Sequence, residues 1–128
     1  MSDQLAAVRR HPIAYWTITG VVVAECLIGG AMDLLRLPPF FPVLIELGYP
    51  AYLAGILGLA KIAAGVVVAA PGLPRLKEWA YAGILINMLG AAASHLADHR
   101  ALSNLLAPLL FAGLALASWA LRPADRRL

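Results

Sequence analysis

Apolar positions fall into four long blocks along the chain, Ile13 to Met32, Ala51 to Ala70, Trp79 to His95 and Leu105 to Leu121, of 20, 20, 17 and 17 residues. A helix of roughly 17–25 residues crosses the ~30 Å hydrocarbon core of a bilayer, so each block is long enough to span once. Runs such as Val66-Val67-Val68-Ala69-Ala70 do not alternate with polar residues, which argues against a β-barrel. Helices remain, because backbone groups in lipid must be paired within the segment. The pattern therefore predicts an all-α integral membrane four-helix bundle, one four-span domain over residues 1–128. Pro12 and Pro50 suit the first turns of the first and second spans, where a missing N–H costs nothing. Pro71-Gly72-Leu73-Pro74 stops the second span, and Pro108 predicts a kink or a late start in the fourth. Leu37 to Tyr49 is apolar but too short and proline-rich to cross; it reads as an interfacial or re-entrant segment, either a loop packed over the bundle or a lid. The first ten residues look like a secretory leader's start, but no small-residue cleavage site follows a short apolar run, so the first span is expected to stay attached.

Composition sharpens this picture. Of the 128 residues 62% are apolar and 13% charged, far from the balance of a soluble domain. The net charge of +3 raises the question of nucleic acid, but the basic residues lie between apolar blocks rather than in a stripe, and they serve instead as topology signals. Arg9, Arg10, Arg75, Lys77, Arg122, Arg126 and Arg127 flank one side, against Arg36 and Arg100 on the other. Seven against two places both termini in the cytoplasm. Tyr15, Trp16, Trp79, Tyr81 and Trp119 then mark the inner interface, and Phe40, Phe41, Tyr49 and Tyr52 the outer one. Cys26 is the only cysteine, so neither an intrachain disulfide nor dithiol exchange is available.

Polar residues inside the blocks are the candidates for chemistry. Glu25 lies twelve residues into the first block and Lys61 ten into the second, entered from opposite sides, so both fall near mid-bilayer. Each is costly alone in lipid, and matching depths predict an ion pair. Asn87 on the third span completes the polar set. Gly29 follows Glu25 by four; Ala54, Gly58, Lys61 and Gly65 form one stripe; Gly83, Asn87, Gly90 or Ala91, and Ser94 form another. Small residues of this kind let helices approach or leave room for a ligand. An ion pair that only fixes helix register explains the charges equally well. His95, Asp98 and His99 stand at i, i+3 and i+4 and would share a face able to ligate a divalent metal if the helix continues that far. Ser94 and His95 lie deeper and could meet a ligand carbonyl; Asp33 faces the same region, caps its helix or pairs with Arg36, and His11 reads as a solvated residue of the inner surface. Dinucleotide, phosphate-loop, zinc-protease and nucleophile-elbow motifs are absent.

The stretch Gly48-Tyr49-Pro50-Ala51-Tyr52-Leu53, Ile56-Leu57-Gly58 with Lys61, Pro71 to Pro74, Leu76-Lys77-Glu78-Trp79-Ala80-Tyr81-Ala82-Gly83, and Gly90-Ala91 with Ser94-His95 resembles the DoxX-like family of small bacterial membrane proteins. The resemblance runs from Gly48 to His95, and Leu-Lys-Glu-Trp-Ala-Tyr-Ala-Gly is its most specific part. It implies a four-helix membrane fold in the bacterial inner membrane and makes Lys61, Trp79, Tyr81, Ser94 and His95 motif positions. The namesake is a subunit of a membrane thiosulfate:quinone oxidoreductase, and some relatives are linked to oxidative-stress defence. Relatives carry Gly-Asp shortly after the Ser-His where this chain has Ala97-Asp98, so their outer turn is not expected to be copied here.

Four functions follow. The first is a membrane protein holding a quinone-like lipophile as an accessory subunit of a redox system, with Glu25, Lys61 and His95 as the reactive groups and Asn87, Ser94, Tyr49 and Trp79 as ligand contacts. The second is an intramembrane acid/base enzyme of isomerase or epoxide-opening type, with Glu25 or His95 as base and Lys61 as acid. The third is a proton-coupled transporter acting as a homodimer, with Glu25 as its proton site. The fourth is a structural partner with no site of its own.

Overall fold

In a computed structural model, residues 12–38, 40–99, 102–123 and 126 are described. Five α-helices follow one another: α1 Pro12–Leu34, α2 Phe40–Glu46, α3 Tyr52–Ala69, α4 Pro74–Ala97 and α5 Leu106–Ala120, with a 3₁₀ turn Leu102–Leu105 leading into α5. No strand occurs among the described residues. Four segments are long and apolar enough to cross a membrane: α1, α3, α4 and Ser103–Ala120. The long helices form a ring in which α1 packs on α3 and α5, and α4 packs on the same two. Sequence neighbours are thus neighbours in space, as short connections between helices require.

Proline and glycine set the boundaries largely as expected. Pro12 opens α1, and Pro74 opens α4 rather than merely ending α3, five residues before the expected start at Trp79. Leu73 before it is left-handed, with φ 55°. Pro108 gives the late start: a 3₁₀ turn precedes it, and it sits in the first turn of α5, where no N–H is needed. α1 ends in a left-handed residue, Arg36 at φ 58°, with the Leu37 N–H donating to Met32 O at 2.8 Å and the Arg36 N–H to Asp33 O at 3.1 Å. The proline-rich segment after α1 forms the seven-residue α2, which packs on α1.

Glycine brings α1 and α3 together. A Cβ on Gly58 would lie 2.6 Å from Gly30 O, and one on Gly30 would lie 2.8 Å from Gly58 O, so the two backbones touch where no side chain intervenes. The stripe of Ala54, Gly58 and Gly65 is buried on this seam, as its spacing suggested. The corresponding α4 stripe is not: Gly83 and Gly90 have open space around them.

Two cations finish the C-terminal end of α3. Lys77, fully buried, donates from Nζ to Val67 O at 2.7 Å and to Ala70 O. Arg126, 4% exposed, donates to Val68 O at 2.8 Å and Ala69 O at 3.3 Å and stacks over Trp16. All four carbonyls that a helix leaves without intrahelical partners are satisfied, and the charges oppose the negative end of the helix dipole. Lys77 and Arg126 are therefore not simply solvated flanking charges. Tyr15 and Tyr81 turn inward rather than to the surface: both are buried, and Tyr81 joins Ser118 at 2.7 Å while Ser118 joins Thr19 at 2.5 Å. A buried hydroxyl needs such a partner, and the chain of hydroxyls ties α1, α4 and α5. Arg9, Arg10, His11, Arg100, Arg127 and the Phe40 side chain lie outside the described residues.

Candidate functional site

Glu25, Gly29 and Asp33 recur every four residues, so they share one face of α1. A Cβ on Gly29 would lie 2.8 Å from Glu25 Oε1 and 3.1 Å from Lys61 Nζ. The Glu25 carboxylate thus lies along the α1 backbone in space that a side chain at Gly29 would occupy. From α3, Lys61 reaches across: its Nζ donates to Glu25 Oε1 at 2.9 Å and stands 3.8 Å from Asp33 Oδ2. The expected Glu25–Lys61 pair is formed. Asp33 neither pairs with Arg36 nor caps α1 with its side chain; only its backbone carbonyl takes the Arg36 N–H, and its carboxylate joins the cluster.

Beside this cluster is a cavity of about 440 Å³ between α3 and α4, with Glu25 and Cys26 of α1 at its back. Lys61 and Asn87 give it a polar region, Leu57, Val67, Ile84 and Met88 an apolar one, and the exposed Trp79 indole contributes to its wall. Three elements with unequal tasks build it. The α1/α3 seam is tight because of Gly30 and Gly58, whereas Gly83 and small alanines such as Ala60 and Ala63 leave α3 and α4 apart. Volume of this order falls within the range of small-molecule sites, and the mixture of an apolar wall with a few polar groups fits one.

Four of the singled-out residues, Glu25, Lys61, Asn87 and Trp79, line this one cavity. Tyr49, Ser94 and His95 are not among its lining residues. Tyr49 and Ser94 meet each other instead: Ser94 donates its only hydroxyl proton to Gly90 O at 2.8 Å, so the Tyr49 hydroxyl donates to Ser94 Oγ at 2.5 Å. His95, two turns beyond Asn87 on α4, has a buried Nδ1 without a hydrogen-bond partner. It does not join Glu25 and Lys61. The trio His95, Asp98 and His99 loses its common face because α4 ends at Ala97 and His99 turns left-handed at φ 55°; among the described residues no His, Cys, Asp or Glu group is arranged to hold a metal ion.

Asp33 and Cys26 are the members that sequence reading underrated. The i, i+4, i+8 spacing of Glu25, Gly29 and Asp33 was the available signal for the first. Cys26 had none beyond adjacency to Glu25.

A family model described as the DoxX-like family matches residues 17–118, extending the likeness through α1 and into α5. No curated protein and no solved structure matches the chain.

Proposed function

The chain belongs to the DoxX-like family, and from that premise we propose that this small multi-pass membrane protein holds a lipophilic, quinone-like molecule in the cavity between α3 and α4. The observation that carries this is the placement of Glu25, Lys61 and Asn87 on the wall of one largely apolar cavity of about 440 Å³. Lys61 and Asn87 both bring hydrogen-bond donors to the cavity lining, so a ring or ketone carbonyl finds a polar end while its apolar body lies along Leu57, Val67 and Ile84. Trp79 offers the flat face that a planar ring packs against. Supply is from the lipid, since α3 and α4 are both apolar enough to span and the cavity lies on their seam.

The setting is the bacterial inner membrane, with both termini cytoplasmic and α2 lying along the outer interface; the excess of Lys and Arg on the terminal side supports that orientation. The protein then acts as an accessory subunit of a redox system, presenting the lipophile to a partner or to a second copy of itself. The test is to purify it gently, identify retained lipophiles by mass spectrometry, and titrate a short-chain benzoquinone against Trp79 fluorescence, with Trp79→Phe as the control. Gly83→Leu should fill the cavity without a clash, because a Cβ there meets nothing within 4 Å. Wild type should bind, and both Gly83→Leu and Asn87→Leu should bind about tenfold or more weakly, roughly the 1.4 kcal/mol of one lost hydrogen bond or contact set. Equal binding by all three proteins sinks the reading.

A further inference from the structure

The ion cluster beside the cavity, with Glu25 and Lys61 on the wall and Asp33 behind them, is unequal in charge. It comprises two carboxylates, Glu25 and Asp33, and one ammonium, Lys61, whose Nζ is 2.9 Å from Glu25 Oε1 and 3.8 Å from Asp33 Oδ2. From α4 the cavity receives Asn87 and Trp79, neither of which ionises, and from α1 also the Cys26 thiol; α5 contributes no lining residue. With Glu25, Asp33 and Lys61 ionised and the Cys26 thiol neutral, the cluster carries one net negative charge on helices apolar enough to span a membrane. An uncompensated charge is expensive there, and one proton removes it. The position of the cluster also matters. Asp33 is the penultimate residue of α1 and is nearly buried, while Glu25 lies more than two turns deeper on the cavity wall. Lys61 bridges them.

We propose that the Glu25–Lys61–Asp33 cluster is a single-proton site, reached through Asp33 from the Leu34 end of α1, and that uptake of this proton tightens the cavity's hold on a neutral, carbonyl-bearing lipophile. The geometry supplies the coupling. With both acids ionised, Lys61 Nζ is held between them. Asp33, whose Oδ2 stands 3.8 Å from Lys61 Nζ against 2.9 Å for Glu25 Oε1, is the acid that takes the proton; Lys61 then stays on Glu25 at the cavity wall, is no longer drawn toward Asp33, and turns an N–H to the cavity, where a ligand carbonyl accepts it. By linkage, whatever binds the protonated cluster more tightly draws the proton in as it binds. Affinity for a neutral acceptor therefore rises as pH falls, by up to about tenfold per pH unit for one coupled proton. This coupling rests on the lipophile reading above; the proton site itself does not.

Two measurements on the full chain in lipid nanodiscs separate them. Infrared difference spectra as pH is lowered should show one protonated-carboxyl C=O band in wild type. The band should be missing in Asp33→Asn and in Glu25→Gln, each of which leaves one acid opposite one ammonium; helical circular dichroism checks that both variants fold. Short-chain benzoquinone affinity, followed by Trp79 fluorescence, should strengthen with falling pH in wild type and stay flat in Asp33→Asn. A band seen in wild type alone upholds the proton site even where no quinone binds, in which case only the lipophile reading fails. No band, or the same band in all three proteins, overturns the proton site even where quinone binds. Affinity that rises with pH, as a lipophilic cation replacing the proton would produce, overturns the proposed coupling.

Discussion

A methyl group at Gly29 and one at Gly58 would have different consequences, although both glycines lie on the α1/α3 seam. At Gly29 the first obstacle is the end of a flexible side chain, Glu25 Oε1 at 2.8 Å, which can swing aside. At Gly58 it is the Gly30 backbone carbonyl at 2.6 Å, which can yield only if the helices separate. Gly58→Ala should therefore lower thermal stability by about 1–3 kcal/mol, as overpacking a close contact does. Gly29→Ala should leave the helices in place and displace the Glu25 carboxylate from Lys61, changing the cluster's titration more than the melting temperature. Thermal unfolding in detergent together with infrared titration distinguishes the two; equal melting losses would contradict the assignment. Residue spacing made Glu25, Lys61 and the small positions legible. The partnership of Asp33 was harder to read, since a carboxylate one residue from a helix end has three ordinary fates, and only the reach of Lys61 from another helix selects among them.

At the scale of the element, α3 depends on groups far from it in sequence. Its last four carbonyls are taken by Lys77 from the start of α4 and Arg126 from beyond α5. Hydrogen bonds from charged donors contribute about 1.5–3 kcal/mol each, so Arg126→Ala and Lys77→Met should each destabilise the protein by roughly that amount. The loss should be local: amide exchange should quicken over the last turn of α3 and remain slow around Gly58. Uniform acceleration along α3 would show that these cations hold the whole bundle rather than one helix end. Block lengths predicted the helices themselves to within a few residues, because apolar length is a property of each segment. The early start of α4 at Pro74 escaped the pattern, since Arg75, Lys77 and Glu78 look like loop residues until Lys77 is seen buried and Glu78 is seen accepting from Arg122 and from Trp119 Nε1 at 3.0 Å.

For the whole molecule, the orientation proposed above, with both ends in the cytoplasm, rests on four spans and the basic bias and makes a labelling prediction. On a Cys26→Ala background, Pro71→Cys should react with a membrane-impermeant maleimide only after cells are opened, and Leu47→Cys in intact spheroplasts. The reverse pattern would invert the bundle and move the Asp33 end of the cluster to the cytoplasm. Four membrane-crossing helices, the pairing of Glu25 with Lys61 and the family were all contained in the sequence, because hydropathy, depth and local motif depend on residues taken a segment at a time. Tertiary structure alone decided that Asp33 joins the cluster, that Tyr15, Tyr81, Lys77 and Arg126 are buried, that His95 stands apart from the cavity, and that space opens between α3 and α4 while α1 and α3 close. Each of those depends on which helix faces which, and at what distance. In a chain whose helices are apolar on every side, periodicity carries little of that information.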